Sequence, residues 1–357
     1  MKSLLWKSDW DRTRARFASW WKREGLVFCL TAPRAAALDD ITDPPVPKDP
    51  VARWTDPAYR LARGEGLLAR TWHGAEAFPC FDPEIGPGNL ATFIGSEPGY
   101  DQETVWFNPC IADPETHPTL SFDPANRHYQ RQMAIIEAAL AASNGRYLVG
   151  LPDLIENVDT IVSLRGMETL LTDMMDRPGF VEERVAQVNQ VWFDVYERMR
   201  ARVGDAWGGT TWACFRIWGE GRTAKLQCDA SAAFSPAMFR RFVVPALRTQ
   251  CRWLDNSLYH LDGLQCVVHV DELLAIDELD AIQWTAGAGR PGGGDPSWYE
   301  LYRRILKGGK GVMATDVRPQ EVVPLLDAVG PRGLFIMTTA ESEEQARALE
   351  EKVEMYR

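Results

Sequence analysis

Short apolar segments and amphipathic segments follow one another along most of the chain. Apolar runs bounded by turn residues predict strands at 26–32, 75–80, 146–151, 210–215, 257–261, 280–284, 311–314 and 333–338. Helical periodicity predicts helices at 8–24, 57–71, 165–176, 179–203, 235–254, 264–276, 297–307, 318–328 and 341–356. Eight strands that alternate with helices favour an α/β fold of the closed (β/α)₈ type, a TIM barrel, over an open sheet.

Two segments depart from this alternation. Residues 8–24 form an N-terminal helical segment in which Trp10, Phe17, Trp20 and Trp21 make one apolar stripe. Residues 78–125 are rich in proline and glycine, and so long an irregular segment in a compact domain usually covers a site. The sequence therefore predicts one barrel domain over residues 1–357, with 78–125 as a cap insertion.

Charge and composition narrow the class of partner. The formal net charge of −11 disfavours nucleic acid and anionic membrane surfaces, and no apolar run is long enough to cross a bilayer. The seven cysteines include no Cys-x-x-Cys pair and mostly lie in apolar runs, which is typical of reduced thiols in a cytoplasmic protein. We expect a small-molecule substrate, and a monomer and a homodimer both remain open.

In a barrel of this type the chemistry lies at the carboxyl ends of the strands. This rule selects one polar residue after the third predicted strand and aromatic residues around the fourth. It also selects a histidine and an aspartate at the fifth and two residues at the sixth. They are Asp153; Trp212 and Trp218; His260 and Asp262; and Gln283 and Trp284. The tryptophans would form walls of a pocket.

The sharpest pattern is Tyr259-His260-Leu261-Asp262-Gly263. His260 and Asp262 point to the same side of a strand, because side chains alternate along it. The pair can serve as two ligands of a divalent metal such as zinc, or as a general acid and base. A core histidine held by Asp262 is the structural alternative. Cys266 and His269 could extend a metal set, but packing of their helix is the stronger expectation.

Three further regions offer substrate contacts. Gln227 and Asp229 precede a helix, where Asp229 could act as a base or substrate anchor, or could simply cap a turn. The glycine-rich segment 287–294 carries Arg290 and could bind an anion, although a flexible connection would look the same. Asn89 and Trp106 in the insertion could contact a ligand, or they could only pack the loop against the barrel.

Several motifs resemble the uroporphyrinogen-decarboxylase-like superfamily. They are Leu164-Arg165-Gly166-Met167-Glu168 with Asp173 and Arg177-Pro178, Phe234-Ser235-Pro236-Ala237-Met238-Phe239 with Pro245, His260-Leu261-Asp262-Gly263, and Gly333-Leu334-Phe335-Ile336-Met337-Thr338-Thr339. The likeness runs from about residue 140 to the end. It implies a (β/α)₈ barrel, and the superfamily includes decarboxylases and cobalamin-dependent methyltransferases.

The chain departs from both functional branches. Decarboxylases of the family use an arginine-rich N-terminal segment, and the matching stretch here offers only Arg34. The methylcobamide:coenzyme M methyltransferase branch binds zinc through His-x-Cys at the fifth strand and a later cysteine. Here the pattern gives His260 and Asp262, and the region after the eighth strand has no cysteine. The resemblance therefore implies an oxygen-rich metal site, or none.

Three hypotheses follow. The first is a methyltransferase-like enzyme in which His260 and Asp262 bind zinc or another divalent metal and Asp229 orients the substrate. A corrinoid would then reach the site only on a partner protein, as the family branch implies. The second is a cofactor-free decarboxylase or lyase of a small carboxylate. The third is a ligand-binding barrel without catalysis.

Overall fold

The computed structural model describes residues 4–39 and 41–357. Its strands are short, and each is labelled in chain order. They are β1 (Val27–Pro33), β2 (Thr71–Ala75), β3 (Cys80–Phe81), β4 (Glu97–Tyr100), β5 (Val105–Asn108), β6 (Leu148–Val149), β7 (Gly209–Trp212), β8 (Ile217–Glu220), β9 (Thr223–Gln227), β10 (Asn256–Asp262), β11 (Ala281–Thr285), β12 (Gly311–Ala314) and β13 (Leu334–Thr339).

Helices occupy most of the connections between these strands. They are α1 (Trp10–Trp21), α2 (Pro50–Thr55), α3 (Pro57–Arg70), α4 (Leu90–Phe93), α5 (Arg127–Ser143), α6 (Asn157–Arg165), α7 (Met167–Asp176), α8 (Pro178–Val203), α9 (Pro236–Phe242), α10 (Val244–Trp253), α11 (Val270–Leu274), α12 (Tyr299–Lys307), α13 (Val322–Val329) and α14 (Glu343–Glu354). Four 3₁₀ turns supplement them: Asp229–Ala233, Leu264–His269, Pro296–Trp298 and Pro319–Glu321. The fold is therefore mixed α/β, as the alternation of segments predicts.

One seven-stranded sheet dominates the fold. Its order is β2-β1-β13-β12-β11-β10-β9, and every neighbouring pair except β1–β2 is parallel. A second pair, β3 with β6, is also parallel, and Leu151 just beyond β6 bridges to Trp212 of β7. Because parallel strands align their carboxyl ends, the residues that follow β9 to β13 meet at one edge.

The aromatic stripe of α1 covers the opposite, amino end of this sheet. Phe17 and Trp20 pack edge-to-face on Phe335 at the start of β13, and the Trp20 indole donates to the carbonyl of Gly333 at 3.0 Å. Both side chains are almost fully buried. The N-terminal segment thus closes one end of the core and leaves the carboxyl ends of the strands for a site.

Several predicted helix boundaries have local causes. Ser235 caps α9 by accepting from the backbone of Met238, and Pro236 occupies the first turn, where no donor is needed. The helix predicted over 235–254 is interrupted at Val243, because Pro245 supplies no N–H to continue the ladder. The helix predicted over 264–276 is a 3₁₀ turn followed by the single short helix α11.

Two strand predictions need correction. The segment predicted as the fourth parallel strand, 210–215, lies in an antiparallel hairpin of β7 with β8. The strand that pairs with β10 is instead β9. It was not predicted, because the polar residues Lys225 and Gln227 interrupt the run of apolar residues that identified the other strands. The insertion 78–125 is also more ordered than a loop, since it holds β3, α4 and the β4–β5 hairpin.

No helix in residues 4–39 and 41–357 is both long and apolar enough to cross a membrane. The amphipathic helices instead pack one face on the sheet, as in α12, where Tyr302 and Ile305 are buried.

A buried ion pair joins the last residue of the chain to the turn after β2. The guanidinium of Arg357 binds both carboxylate oxygens of Glu76, at 2.6 Å and 2.5 Å, and the exposed fractions of the two side chains are 4% and 1%. The same carboxylate accepts from the backbone N–H of Phe28 on β1. Arg357 therefore neutralises a charge that has almost no contact with water.

We expect Arg357→Ala to lower the free energy of unfolding by about 3–5 kcal/mol, because it leaves the Glu76 carboxylate buried without a counter-charge. The measurement is urea denaturation at pH 7. Arg202→Ala is the control: it breaks the exposed pair with Glu137 and should cost less than about 1 kcal/mol. Equal losses of unfolding free energy in the two variants would contradict the conclusion that Arg357 neutralises a buried charge.

Candidate functional site at the carboxyl ends of the strands

Three of the predicted residues meet in one cluster. Asp229, His260 and Asp262 each place a ligand atom within 4.8 Å of the other two. His260 and Asp262 end β10, and the parallel register that sets Gln227 beside His260 carries the chain on to Asp229 next to them. The strand geometry thus joins the two segments that the sequence singled out.

His260 is held from behind by Gln283 on the neighbouring strand β11. The parallel register places these two residues side by side, and the His260 Nδ1 atom is hydrogen-bonded to the Gln283 Oε1 atom. The amide nitrogen of Gln283 donates to Thr285 at 2.9 Å and to Thr315 at 3.1 Å. Because an amide oxygen only accepts, Nδ1 carries the proton and the lone pair of His260 lies on Nε2.

The imidazole of His260 is predominantly neutral at pH 7. Burial lowers the pKa of His260 below its usual value, and the positive charge of Lys225 acts in the same direction. A neutral ring with a fixed tautomer and a free Nε2 lone pair is the form that binds a metal or accepts a proton.

Asp229 is only weakly acidic in its surroundings. Loss of solvation raises the pKa of its carboxyl group to about 7, and the nearby charge of Asp159 adds to the effect. Gln227 donates to one Asp229 oxygen at 2.9 Å, while Asp159 accepts from the backbone N–H groups of Asp229 and Ala230. Asp229 can therefore exchange a proton near neutral pH, which suits a general acid or base.

A buried lysine lies beneath this acidic group. Lys225 of β9 binds Asp153 at 2.6 Å and is also hydrogen-bonded to Gln227. Burial alone would lower the pKa of Lys225, but Asp153 together with Cys214 and Glu156 outweighs it and raises the pKa above the usual range. Asp153, predicted to bind substrate, is thus engaged in an ion pair that has 1% and 6% side-chain exposure.

Glu156 is fully buried beside the same lysine. One of its carboxyl oxygens accepts from the Gln227 backbone at 2.8 Å, and the other has no partner among the described residues. Burial raises the pKa of Glu156 well above its usual value. The protonated acid is therefore the stable form, in line with the high cost of a second buried charge.

An open cavity of about 510 Å³ is lined by residues that contact His260 and Gln283, although none of the three clustered residues lines it directly. Its walls include Thr31 on β1, Thr285 at the end of β11, Thr315 after β12 and Thr339 on β13, together with Phe215 and Arg216 from the β7–β8 turn. The Phe215 ring lies against His260, with ring centroids 5.3 Å apart. Phe215 and the two Gln283-bound threonines therefore connect the cluster to a space large enough for a small molecule.

The predicted pocket tryptophans occupy the core instead. Trp212, Trp218 and Trp284 have exposed fractions of 0%, 0% and 1%, and Tyr259 has 1%. They present no surface to a ligand in this structure, because the β7–β8 hairpin turns its aromatic residues inward toward α1 and the neighbouring helices.

The remaining predicted contacts lie apart from the cavity walls. Asn89 is buried and donates to Gln132 at 3.0 Å. Trp106 covers Gly99 within the β4–β5 hairpin and is 46% exposed. Arg290 is exposed in the glycine-rich connection after β11. His269 donates from Nε2 to the backbone carbonyl of Ser231 at 2.9 Å and stacks on Phe239, which fits a packing role.

Sequence reasoning missed Lys225, Asp159 and Phe215. Lys225 and Gln227 alternate with apolar residues in Thr223-Ala224-Lys225-Leu226-Gln227, a period of two that indicates a strand with one polar side. That signal was available. For Phe215 no signal was available, because a hairpin in place of the expected strand decides where its side chain points.

Comparison with known proteins gives a structural match. No protein-family model matches the chain, and no curated protein sequence matches it. Among solved structures, a methyltransferase from Methanosarcina mazei is similar with a TM-score of 0.64, over 96% of this chain and 99% of that one, at 9% sequence identity. Similarity at this identity shows a shared fold.

We expect the Asp229 carboxyl group to titrate near pH 7. Carbon-detected NMR of aspartate-labelled protein, assigned with Asp229→Asn, measures this directly. Asp101 is the internal control, because backbone N–H groups of Thr104 and Glu103 hold its pKa below the usual value. An Asp229 resonance that titrates together with Asp101 would contradict the proposed environment.

Proposed function

We propose that the protein is an enzyme that transfers a methyl group to a small molecule, assisted by a divalent metal ion held by Asp229, His260 and Asp262. The observation that carries this proposal is the convergence of the three ligand atoms within 4.8 Å. The fold shared with a methyltransferase is consistent with it.

The residues present fit a divalent metal ion. His260 offers Nε2 while Gln283 fixes the other nitrogen, an arrangement common behind metal-bound histidines. Two carboxylates complete a set of one nitrogen and two oxygen donors. Such a set accepts zinc, but it selects zinc over harder cations less strongly than thiolates do.

A bound divalent ion would lower the pKa of a thiol or hydroxyl group on the acceptor. Asp229 serves as a ligand in this proposal and has lost its own proton, so the proton of the acceptor group leaves to solvent water. The deprotonated atom attacks the methyl carbon, and a new bond forms as the bond from methyl to donor breaks and leaves its electron pair on the donor. The family resemblance implies a methylated corrinoid on a partner protein as this donor.

The proposed site requires the strand ends to face a common mouth, and we propose that the sheet closes into a (β/α)₈ barrel. Two contacts support closure. The Glu76 N–H donates to the Phe28 carbonyl at 3.0 Å and links the segment before β3 to β1. On the other side, Lys225 of β9 binds Asp153, which follows β6.

A cofactor-free decarboxylase or lyase is the second candidate. The observation that favours it is the pairing of an Asp229 carboxyl group with a pKa near 7 and a neutral His260, which forms an acid–base pair without any metal. Metal content separates the two candidates.

We expect the purified protein to bind about one equivalent of Zn²⁺ or Co²⁺, and His260→Ala and Asp262→Asn to lose it, because each removes a donor from a three-residue set. Elemental analysis and Co²⁺ absorption measure the stoichiometry. Asp316→Asn is the matched control, an exposed carboxylate that lines the cavity outside the cluster. Metal-free wild type would move the lyase to first place.

We expect metal affinity to rise as the pH increases through about 7. Asp229 must lose its proton to become a ligand, so below its pKa each pH unit weakens binding by up to roughly tenfold. Burial lowers the pKa of His260 below its usual value, so its own titration lies on the acid side of that of Asp229. Co²⁺ titrations from pH 5.5 to 8.5 test this, and Asp229→Asn should flatten the slope. A wild-type profile as flat as that of the variant would oppose a ligand role for Asp229.

Methyl transfer itself is tested with methylcobalamin as donor. The metal-loaded protein should accelerate its demethylation, followed by absorbance, with at least one member of a panel of small thiols and alcohols. Chelation and His260→Ala should both remove the acceleration. Tight metal binding without any demethylation would contradict the transfer step while keeping the metal site.

A further inference from the structure

Arg216 occupies the turn between β7 and β8, at a position that two cavities share. It lines the 510 Å³ cavity beside Thr31 and Thr339, and also an adjoining cavity of about 420 Å³ that contains Asp82 and Cys214. A positive charge at this place faces any molecule that enters these cavities.

The guanidinium of Arg216 has no hydrogen-bond or ion-pair partner in the part of the chain that the structure describes. Arg318, on the same cavity wall, is instead paired with Glu321. Arg216 also adopts the left-handed backbone conformation, with φ of +50°, which is uncommon for residues other than glycine. Such strain tends to persist at ligand-binding positions.

The charge of Arg216 affects the pKa values of buried groups on the strands around the cavity. Burial lowers the pKa of His73 on β2 to about 3, and Arg216 is the next largest cause. Arg216 likewise opposes the effect of burial on the thiols of Cys29 and Cys80. The guanidinium thus lies over β1, β2 and β3 rather than extending away into solvent.

We propose that Arg216 binds a carboxylate group of the substrate, so that the substrate is a small carboxylic acid. An arginine fork matches the two oxygens of a carboxylate. The hydroxyl groups of Thr31 and Thr339, 3.0 Å apart on the same cavity, offer further donors. This inference rests on the proposed function only in placing the reacting end of the substrate at His260, which Phe215 connects to the cavity.

The surrounding charges favour a carboxylate over a phosphate. Asp82 lies near Arg216 on the adjoining cavity, and burial together with the charge of Asp82 raises the pKa of Glu84 well above its usual value. In the 510 Å³ cavity Arg216 is the one cation without a charged partner among the described residues, and it can balance one negative charge there. Arg60 and Arg63 line the adjoining cavity. A phosphate dianion would bring a second charge that no other unpaired cation of this cavity offsets.

The test compares three ligands that share a ring: benzoate, neutral benzamide and phenyl phosphate. Binding to wild type, Arg216→Met, Arg216→Lys and Arg290→Met is measured by saturation-transfer NMR titration at low salt. Methionine keeps an unbranched stem at the strained backbone position, and circular dichroism checks the fold. Arg290→Met is the matched control, an exposed arginine outside the cavity walls.

We expect wild type to bind benzoate at least tenfold more tightly than benzamide and more tightly than phenyl phosphate. Arg216→Met should abolish the preference for benzoate, while Arg216→Lys keeps part of it and Arg290→Met keeps all of it. No benzoate preference in wild type, a preference for phenyl phosphate, or a preference that survives Arg216→Met would each overturn the inference.

Co²⁺ binding by the same variants separates this inference from the proposed function. Arg216→Met should keep the metal, since Arg216 lies outside the three-ligand cluster. Loss of benzoate preference with metal retained supports the carboxylate site. A benzoate preference in a protein that binds no metal would contradict the proposed metal site and would still support the carboxylate site.

Discussion

The buried ammonium group of Lys225 allows several carboxyl groups to lie close together at the carboxyl ends of the strands. Four carboxyl groups, on Asp153, Glu156, Asp159 and Asp229, lie around it, and its positive charge lowers the pKa of the last three. Burial pushes the same pKa values up. The balance leaves Asp153 as the direct partner of Lys225 and brings Asp229 to a pKa near neutrality.

The parallel register of three strands turns this charge balance into a site. Gln227, His260 and Gln283 lie side by side on β9, β10 and β11, because the parallel pairing aligns them. Each of the outer two orients a reactive neighbour: Gln227 donates to Asp229, and Gln283 fixes the tautomer of His260. Two amide side chains therefore decide which atoms are presented to the cavity.

The β7–β8 hairpin supplies two side chains to the cavity at the carboxyl ends of the strands. Its turn brings Phe215 against His260 and leaves Arg216 at the boundary of two cavities, while its tryptophans pack inward. A hydrophobic wall, a cation and an acidic cluster then lie around one opening. This arrangement is the basis of our proposal that a small anion binds there with its other end toward His260.

Much of this follows from local rules that act within one segment. The apolar runs predicted the strands from β10 to β13 within a residue or two, and His260 and Asp262 were expected together because strand side chains alternate. Asp229 was expected at the same end of the strands. The tertiary structure decided the rest: that Lys225 and Asp153 neutralise each other, that Trp212 and Trp218 are core residues, and that Arg216 faces the cavity. These outcomes depend on which distant segment covers a side chain, and periodicity along the chain carries no information about that.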